Sequence, residues 1–264
     1  MTRWRRALVT GASAGIGAAI ARRLAADGVD LVLVARRANR LDELATSLRS
    51  SVTRVEVLAA DLRDDEAIAR VAARVADADS PVDLLVNNAG AGSFGKFWEL
   101  PLETELGQLD LNVRSLVQLT HAALGRMVPD GRGAVMNLSS VAGNQPGPGN
   151  ATYGATKAFV TSFTEALSIE LRGSGVTITA VCPGLTRTEF HMAAGLEERM
   201  AATPGFLWMT ADDVAAEALE ATAKGKVVHV TGLGNRVLAG LSGVAPRGLR
   251  RRAAGAVIGR VRPV

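Results

Sequence analysis

A single cysteine, Cys182, stands in the 264 residues, so no intrachain disulfide can form. That suits a reducing compartment, and a cytoplasmic protein is expected. Cys182 closes the apolar run "ITAVCPG", where nothing nearby would lower a thiol pKa, so a buried, inert thiol is expected. The three histidines, His121, His191 and His229, form no ligand-like pair, and no metal site is expected. His191 could instead line a substrate pocket. No G-x-S-x-G nucleophile elbow is expected at a strand-to-helix turn, which sets aside a Ser-His-Asp hydrolase. Long apolar runs are missing too. The stretch from Ala7 up to Arg22 carries three glycines and two hydroxyl residues, too short and too mild to span a bilayer.

Acids are missing from one end. The net charge is +4, yet residues 246–264 hold Arg247, Arg250, Arg251, Arg252, Arg260 and Arg262 and no acid. Taking those six from +4 leaves about −2 for the rest, so the basic character belongs to the tail. The tail has no aromatic residue for stacking on bases, and no nucleic-acid partner is expected. It could lie on an anionic membrane surface, cover a subunit interface or remain solvated.

What is present is ordinary for a globular chain: 48% apolar and 21% charged residues. Short apolar runs alternate with helical patterns. The runs are 7–10, 30–35, 54–61, 82–87, 133–139, 176–184 and 226–232. Helices are expected over about 15–26, 102–128, 152–173 and 211–224, with others after the second and third runs. The runs lack period-2 alternation, as strands buried on both faces do. The whole reads as α/β: a doubly wound, seven-stranded, mostly parallel sheet with helices on both faces. Residues 1–245 form one domain, followed by the tail at 246–264. "TADD" at 210–213 reads as a capping-box variant, and "RGSG" at 172–175 as a helix terminator.

The basic start "MTRWRR" followed by "ALVTGASAGIGAAIA" has the outline of a secretion signal. The same residues also make an anion-binding turn. Backbone N–H groups at a helix N-terminus are unsatisfied, and phosphate approaches them only where side chains are absent. Gly11, Gly15 and Gly17 stand where a tight turn, a close approach and helix–sheet packing need them.

The spacing G-x-x-x-G-x-G in "TGASAGIG" resembles the short-chain dehydrogenase/reductase family. So do "NNAG" at 87–90, "NLSS" at 137–140, "YGATK" at 153–157 and "PGLTRT" at 183–188. They follow the family's order, and the resemblance covers roughly residues 5–232. It implies a Rossmann fold and an NAD(P)-dependent oxidoreductase acting on alcohols or carbonyls. These later motifs decide the first one: a phosphate cradle is expected there rather than a leader.

Tyr153 and Lys157 share a helix face at i, i+4. Positive charge beside a phenol lowers its pKa, bringing Tyr153 toward the range of general acid/base catalysis. The resemblance implies that Ser140 donates to the substrate carbonyl and that Lys157 bonds the nicotinamide ribose. It also implies that Asn112 anchors a proton-relay water, a residue that could otherwise be a polar helix kink. It places Gly11, Ser13, Gly15, Ile16, Gly17, Asp61, Leu62, Asn88, Ala89, Gly90, Tyr153, Lys157, Pro183, Gly184, Thr186 and Thr188 around the cofactor, with Asp61 and Leu62 flanking the adenine.

The second run ends "LVLVARR". Where NAD sites carry a ribose-binding acid, this chain has Ala35, then Arg36 and Arg37. Arginine binds a 2′-phosphate with charge-assisted bonds. NADP(H) is therefore the preferred cofactor, with NAD(H) as the alternative. By position the resemblance implies Arg36 as the expected phosphate ligand, with Ser13 as a second candidate, and Arg37 could equally be a surface charge. NADPH favours carbonyl reduction. The substrate pocket would come from 90–98, 142–150 and 186–209. Phe190, Met192, Met200, Phe206, Trp208 and Met209 make its last segment apolar, although residues 206–209 could simply pack that flap on the domain. An apolar or amphipathic carbonyl or alcohol fits. Three alternatives stand beside this reading: alcohol oxidation on the same fold, a non-catalytic dinucleotide sensor, and a membrane-recruited scaffold. The family's pairing through its fourth and fifth helices implies a homodimer or homotetramer.

Overall fold

Residues 3–50, 53–190, 205, 208–244 and 248 are described by the structure, a computed structural model. Each apolar run forms a strand: β1 (Arg6–Thr10), β2 (Asp30–Ala35), β3 (Val55–Ala59), β4 (Leu84–Asn87), β5 (Gly133–Leu138) and β6 (Val176–Cys182). Two short strands follow, β7 (Thr186–Arg187) and β8 (Met209–Thr210), and then β9 (Val228–Val230). Seven strands pair in the order β3-β2-β1-β4-β5-β6-β9, all in parallel. β7 and β8 pair separately.

The helices are α1 (Gly15–Ala26), α2 (Ala38–Leu48), α3 (Asp65–Ala76), α4 (Leu102–Leu109), α5 (Ser115–Met127), α6 (Ala151–Glu170), α7 (Ala211–Ala223) and α8 (Leu233–Val244). Strand residues alternate between two apolar cores. Ala7 and Val9 join Ile20 and Leu24 of α1, Leu41 of α2 and Ala218 of α7. Leu8 joins Ile68 and Val71 of α3 and Leu119 and Met127 of α5. Burying a leucine such as Leu8 on either face contributes roughly 1.5–3 kcal/mol. That is why the runs carry no polar alternation.

The long helix expected over 102–128 is interrupted. Between α4 and α5, residues Asp110–Arg114 form a π-helical turn. Its centre, Asn112, is buried and reaches outside the helix. Oδ1 accepts from the Ala91 amide at 2.9 Å, and Nδ2 donates to the Ala91 carbonyl at 2.8 Å and to Thr156 Oγ1 at 3.0 Å. Such a bulge turns one side chain away from the regular helical ladder, often at a functional site. At 210–213 the cap forms as expected, with Thr210 Oγ1 accepting from the Asp213 amide at 3.1 Å. The Asp213 carboxylate accepts from the Thr210 hydroxyl rather than from its backbone N–H.

The strand order reverses between β1 and β4. The loops after β1, β2, β4, β5 and β6 all leave the same edge, because the strands run in parallel. A crevice at that reversal is where doubly wound sheets bind ligands.

Candidate active site

The first wall is the turn from β1 into α1. Gly11 lies at φ +65°, and a Cβ there would fall 2.9 Å from Ala89 Cα. At Gly17 a Cβ would lie 2.4 Å from Asn88 Nδ2 and 2.5 Å from the Gly11 carbonyl oxygen. Neither position can take a side chain without moving backbone. Gly15 and Ile16 open α1, with Ile16 packed on the core. Ala14 offers no side-chain cap, and the first turn carries no acid. The turn thus presents free N–H groups and the positive end of a helix dipole, and it fits the phosphates of a dinucleotide.

The "NNAG" segment braces this turn. The Asn88 and Ala89 amides donate to Thr10 Oγ1 at 2.9 and 3.0 Å, and Asn88 Nδ2 donates to the Thr10 carbonyl at 2.9 Å. Gly90 sits between Asn112 and Lys157: a Cβ there would meet Asn112 Oδ1 at 3.3 Å and Lys157 Nζ at 3.5 Å. After β6, Pro183 and Gly184 lead to Thr186, which is buried, and to Thr188, whose methyl would lie 3.1 Å from a Cβ at Gly15. The "PGLTRT" loop therefore comes back onto the glycine turn.

Residues 11–15, GASAG, match G-x-S-x-G letter for letter, which corrects the expectation that this pattern is missing. The hydrolase is excluded on geometry instead. A nucleophile elbow is a sharp, strained turn, and no non-glycine residue among those described has positive φ. Ser13 Oγ accepts from Arg37 Nε and Nη2 at 3.3 and 3.1 Å.

Ser140, Tyr153 and Lys157 converge where β5 ends and α6 begins. Ser140 Oγ accepts from the Ala142 amide at 3.1 Å and hydrogen-bonds the Tyr153 phenol. Lys157 is buried; Nζ donates to the Leu138 carbonyl at 2.7 Å and lies 5.7 Å from the Tyr153 ring centroid. Burial lowers its pKa to about 8. Burial also pushes the Tyr153 phenol up to about 12, against the opposing bond from Ser140. This departs from the expected lowering by Lys157. Desolvation disfavours the phenolate, and the bond from Ser140 offsets only part of that. Phe190 packs on Tyr153 with centroids 5.4 Å apart, and Gly92 leaves room for both rings.

At the end of β2, Arg36 is largely exposed, with Nη1 3.8 Å from Asp61. Asp61 accepts from Arg63 through both oxygens, and Arg63 holds its carboxyl below the usual range. Leu62, next to Asp61, is buried and belongs to the core. Arg37 is not the isolated surface charge it could have been: besides Ser13 it reaches Glu189. Trp208 packs under the Arg187 guanidinium within the flap, and Met209 packs against Asn235 of α8, so Met209 ties the flap to the domain. His191, Met192, Met200, Phe206 and the tail arginines lie outside the described residues.

His121 is exposed, His229 pairs with Glu217 at 3.1 Å, and no metal-binding cluster exists among the described residues. Cys182 is buried, with its pKa raised by desolvation. Among the described residues no helix is long and apolar enough to cross a membrane. Sequence reasoning missed Glu105. It is 4% exposed and accepts from Ser93 Oγ at 2.5 Å, from Gln108 Nε2 at 3.0 Å and from Thr152 Oγ1. It ties the loop after β4 to the residue preceding Tyr153. The only signal was a helix-borne acid among leucines, which ordinarily means a solvated face.

Comparison with known proteins agrees with this geometry. Residues 5–199 match the short chain dehydrogenase family. The chain is 43% identical over 187 residues to sulfoacetaldehyde reductase 2 of Chromohalobacter salexigens, covering 70% of this chain and 74% of that protein. A short-chain dehydrogenase from Sphingobium yanoikuyae, solved in complex with NADPH, superposes with TM-score 0.81 at 35% identity, covering 98% of this chain and 97% of that one. The bulky-bulky ketone specific alcohol dehydrogenase of Comamonas testosteroni superposes with TM-score 0.79 at 30% identity, covering 100% and 97%. The seven-stranded sheet, the glycine turn and the Ser-Tyr-Lys cluster thus have one common explanation: the chain belongs to the short-chain dehydrogenase family of NAD(P)-dependent oxidoreductases.

Proposed function

We propose that this enzyme reduces the carbonyl of an apolar or amphipathic substrate with NADPH. The observation that carries the reading is the convergence of Ser140, Tyr153 and Lys157 at the sheet edge that also holds the glycine turn. The bound dinucleotide supplies the hydride. Ser140 holds the substrate oxygen. Tyr153, kept protonated well above neutral pH by burial, donates the proton that oxygen needs. A phenol in that state can act as the proton donor that carbonyl reduction needs. Lys157 has one described acceptor, the Leu138 carbonyl, and its remaining N–H groups are available to a ribose hydroxyl. Asn112, fixed by Ala91 and Thr156, holds the water that returns a proton toward Lys157.

Gly11, Gly15, Gly17 and Ile16 cradle the phosphates, while Asn88, Ala89, Gly90, Pro183, Gly184, Thr186 and Thr188 enclose the nicotinamide half. Asp61 borders the adenine. Arg36, Arg37 and Ser13 receive a 2′-phosphate, which an acid in place of Ala35 would repel. Exposed Phe97 and Trp98 on the loop after β4, and Phe190 packed on Tyr153, offer an apolar rim suited to a bulky carbonyl. Leu102, Leu106 and Leu109 form one exposed apolar stripe on α4, which supports pairing into a homodimer or homotetramer. A buried lone thiol is in keeping with the cytoplasm.

The test is a panel of ketones and aldehydes with NADPH oxidation followed by absorbance, run on the wild type and on Tyr153→Phe. Turnover that survives in Tyr153→Phe at the wild-type rate refutes the assignment.

A further inference from the structure

Arg37 and Arg40 converge on one carboxylate. Arg37 Nη1 donates to Glu189 Oε2 at 2.8 Å, and Arg40 Nη1 donates to Glu189 Oε1 at 2.5 Å. Glu189 is 152 positions from Arg37 and follows directly on Thr188 of the "PGLTRT" loop. The same Arg37 guanidinium turns its Nε and Nη2 to Ser13 Oγ in the glycine turn. One oxyanion, Glu189, therefore already occupies a two-guanidinium fork at the adenosine end of the crevice. Each carboxylate oxygen takes one guanidinium, the arrangement by which arginines also grip phosphate. The two arginines hold the Glu189 carboxyl below the usual carboxylate range. All three side chains are roughly 40% exposed, so the cluster is open to a ligand arriving from solvent.

We propose that Glu189 is a cofactor-specificity residue, its carboxylate competing with a ribose 2′-phosphate for Arg37 and Arg40. The inference rests on the assignment of the phosphate to Arg36, Arg37 and Ser13. A phosphate placed on Ser13 and Arg37 meets the negative charge of Glu189 on the far side of the same guanidinium. Either Glu189 releases Arg37 or both anions share it, and both outcomes weaken the phosphate's hold. A ribose that ends in a 2′-hydroxyl brings no charge and meets no such opposition. Glu189 thus lowers affinity for the phosphorylated cofactor alone and narrows the gap between NADPH and NADH. Arg36, whose nearest acid is Asp61 at 3.8 Å, stays available to the phosphate whatever Glu189 does, so preference is reduced and not reversed.

The experiment measures dissociation constants for 2′,5′-ADP and 5′-ADP by calorimetry, and for NADPH and NADH by fluorescence titration, on the wild type and Glu189→Gln. Glutamine keeps the size and removes the charge. Glu189→Gln is expected to tighten 2′,5′-ADP and NADPH about two- to fivefold, the range of an exposed ion pair. It is expected to leave 5′-ADP and NADH unchanged, and the gain should shrink as salt is raised. Unchanged or weaker binding of the phosphorylated ligands by Glu189→Gln, in a wild type that prefers them, overturns the role of Glu189 and leaves the cofactor assignment standing. A wild type that binds 2′,5′-ADP no better than 5′-ADP overturns the cofactor assignment, and this inference with it.

Discussion

Replacing Lys157 by methionine should stabilise the protein at neutral pH while stopping catalysis. Lys157 is 5% exposed, and burial takes its pKa from 10.5 to about 8. At about 1.4 kcal/mol per tenfold change, that fall means the folded state gives up roughly 3 kcal/mol to keep the ammonium charged. The sign follows from proton counting. Between about 8 and 10.5 the unfolded chain binds the proton and the folded chain does not, so stability rises with pH across that window. Below it the full penalty applies; above it both states are neutral. Lys157→Met has no such penalty at any pH. It loses the bond to the Leu138 carbonyl, whose unsatisfied oxygen costs about 1–3 kcal/mol. At pH 7 the variant should therefore be ahead by about 1 kcal/mol, and by pH 10.5 the wild type should have gained about 3 kcal/mol on it. Tyr153, raised from 10.0 to about 12, acts in the opposite sense between those values. It is present in both proteins and cancels in the difference. Urea unfolding of the two proteins at several pH values from 7 to 10.5 reads this directly. A difference in stability that stays flat across the window refutes the account of Lys157 as a buried charge.

Three further outcomes are expected. Tyr153→Phe should lose turnover with every carbonyl while binding NADPH with unchanged affinity, which separates chemistry from cofactor binding in one titration. Arg36→Ala should weaken NADPH by about 1–3 kcal/mol, the range for a hydrogen bond to a charged group, and leave NADH unaffected; equal losses for both would remove Arg36 from the phosphate site. Glu105→Ala should destabilise the fold by about 2–3 kcal/mol, because Ser93, Gln108 and Thr152 lose a shared buried acceptor. Thermal unfolding that is unchanged in that variant would show that the three donors find other partners.

The parts legible in the sequence were those governed by neighbours along the chain. A strand buried on both faces shows as an unbroken apolar run, as in "DLVLVA". Tyr153 and Lys157 meet because four residues of helix bring them to one face, and Gly11 and Gly17 announce a turn that tolerates no Cβ. What stayed hidden depends on residues far apart. The helix over 102–128 carries no breaker at its π-turn; the turn exists because Asn112 bonds to Ala91 and Thr156 on other segments. GASAG spells a hydrolase elbow, and only its backbone angles and its Arg37 contact show that it is not one. The sequence placed a lysine beside a tyrosine and so suggested a lowered phenol pKa. The tertiary structure set the dielectric around both and raised it, since burial works on whole surroundings while charge works on one neighbour. Glu189 reaches Arg37 across 152 residues. No local pattern encodes that meeting: the sheet order brings the loop after β6 over the turn after β1, and the fold alone decides which charge faces the phosphate site.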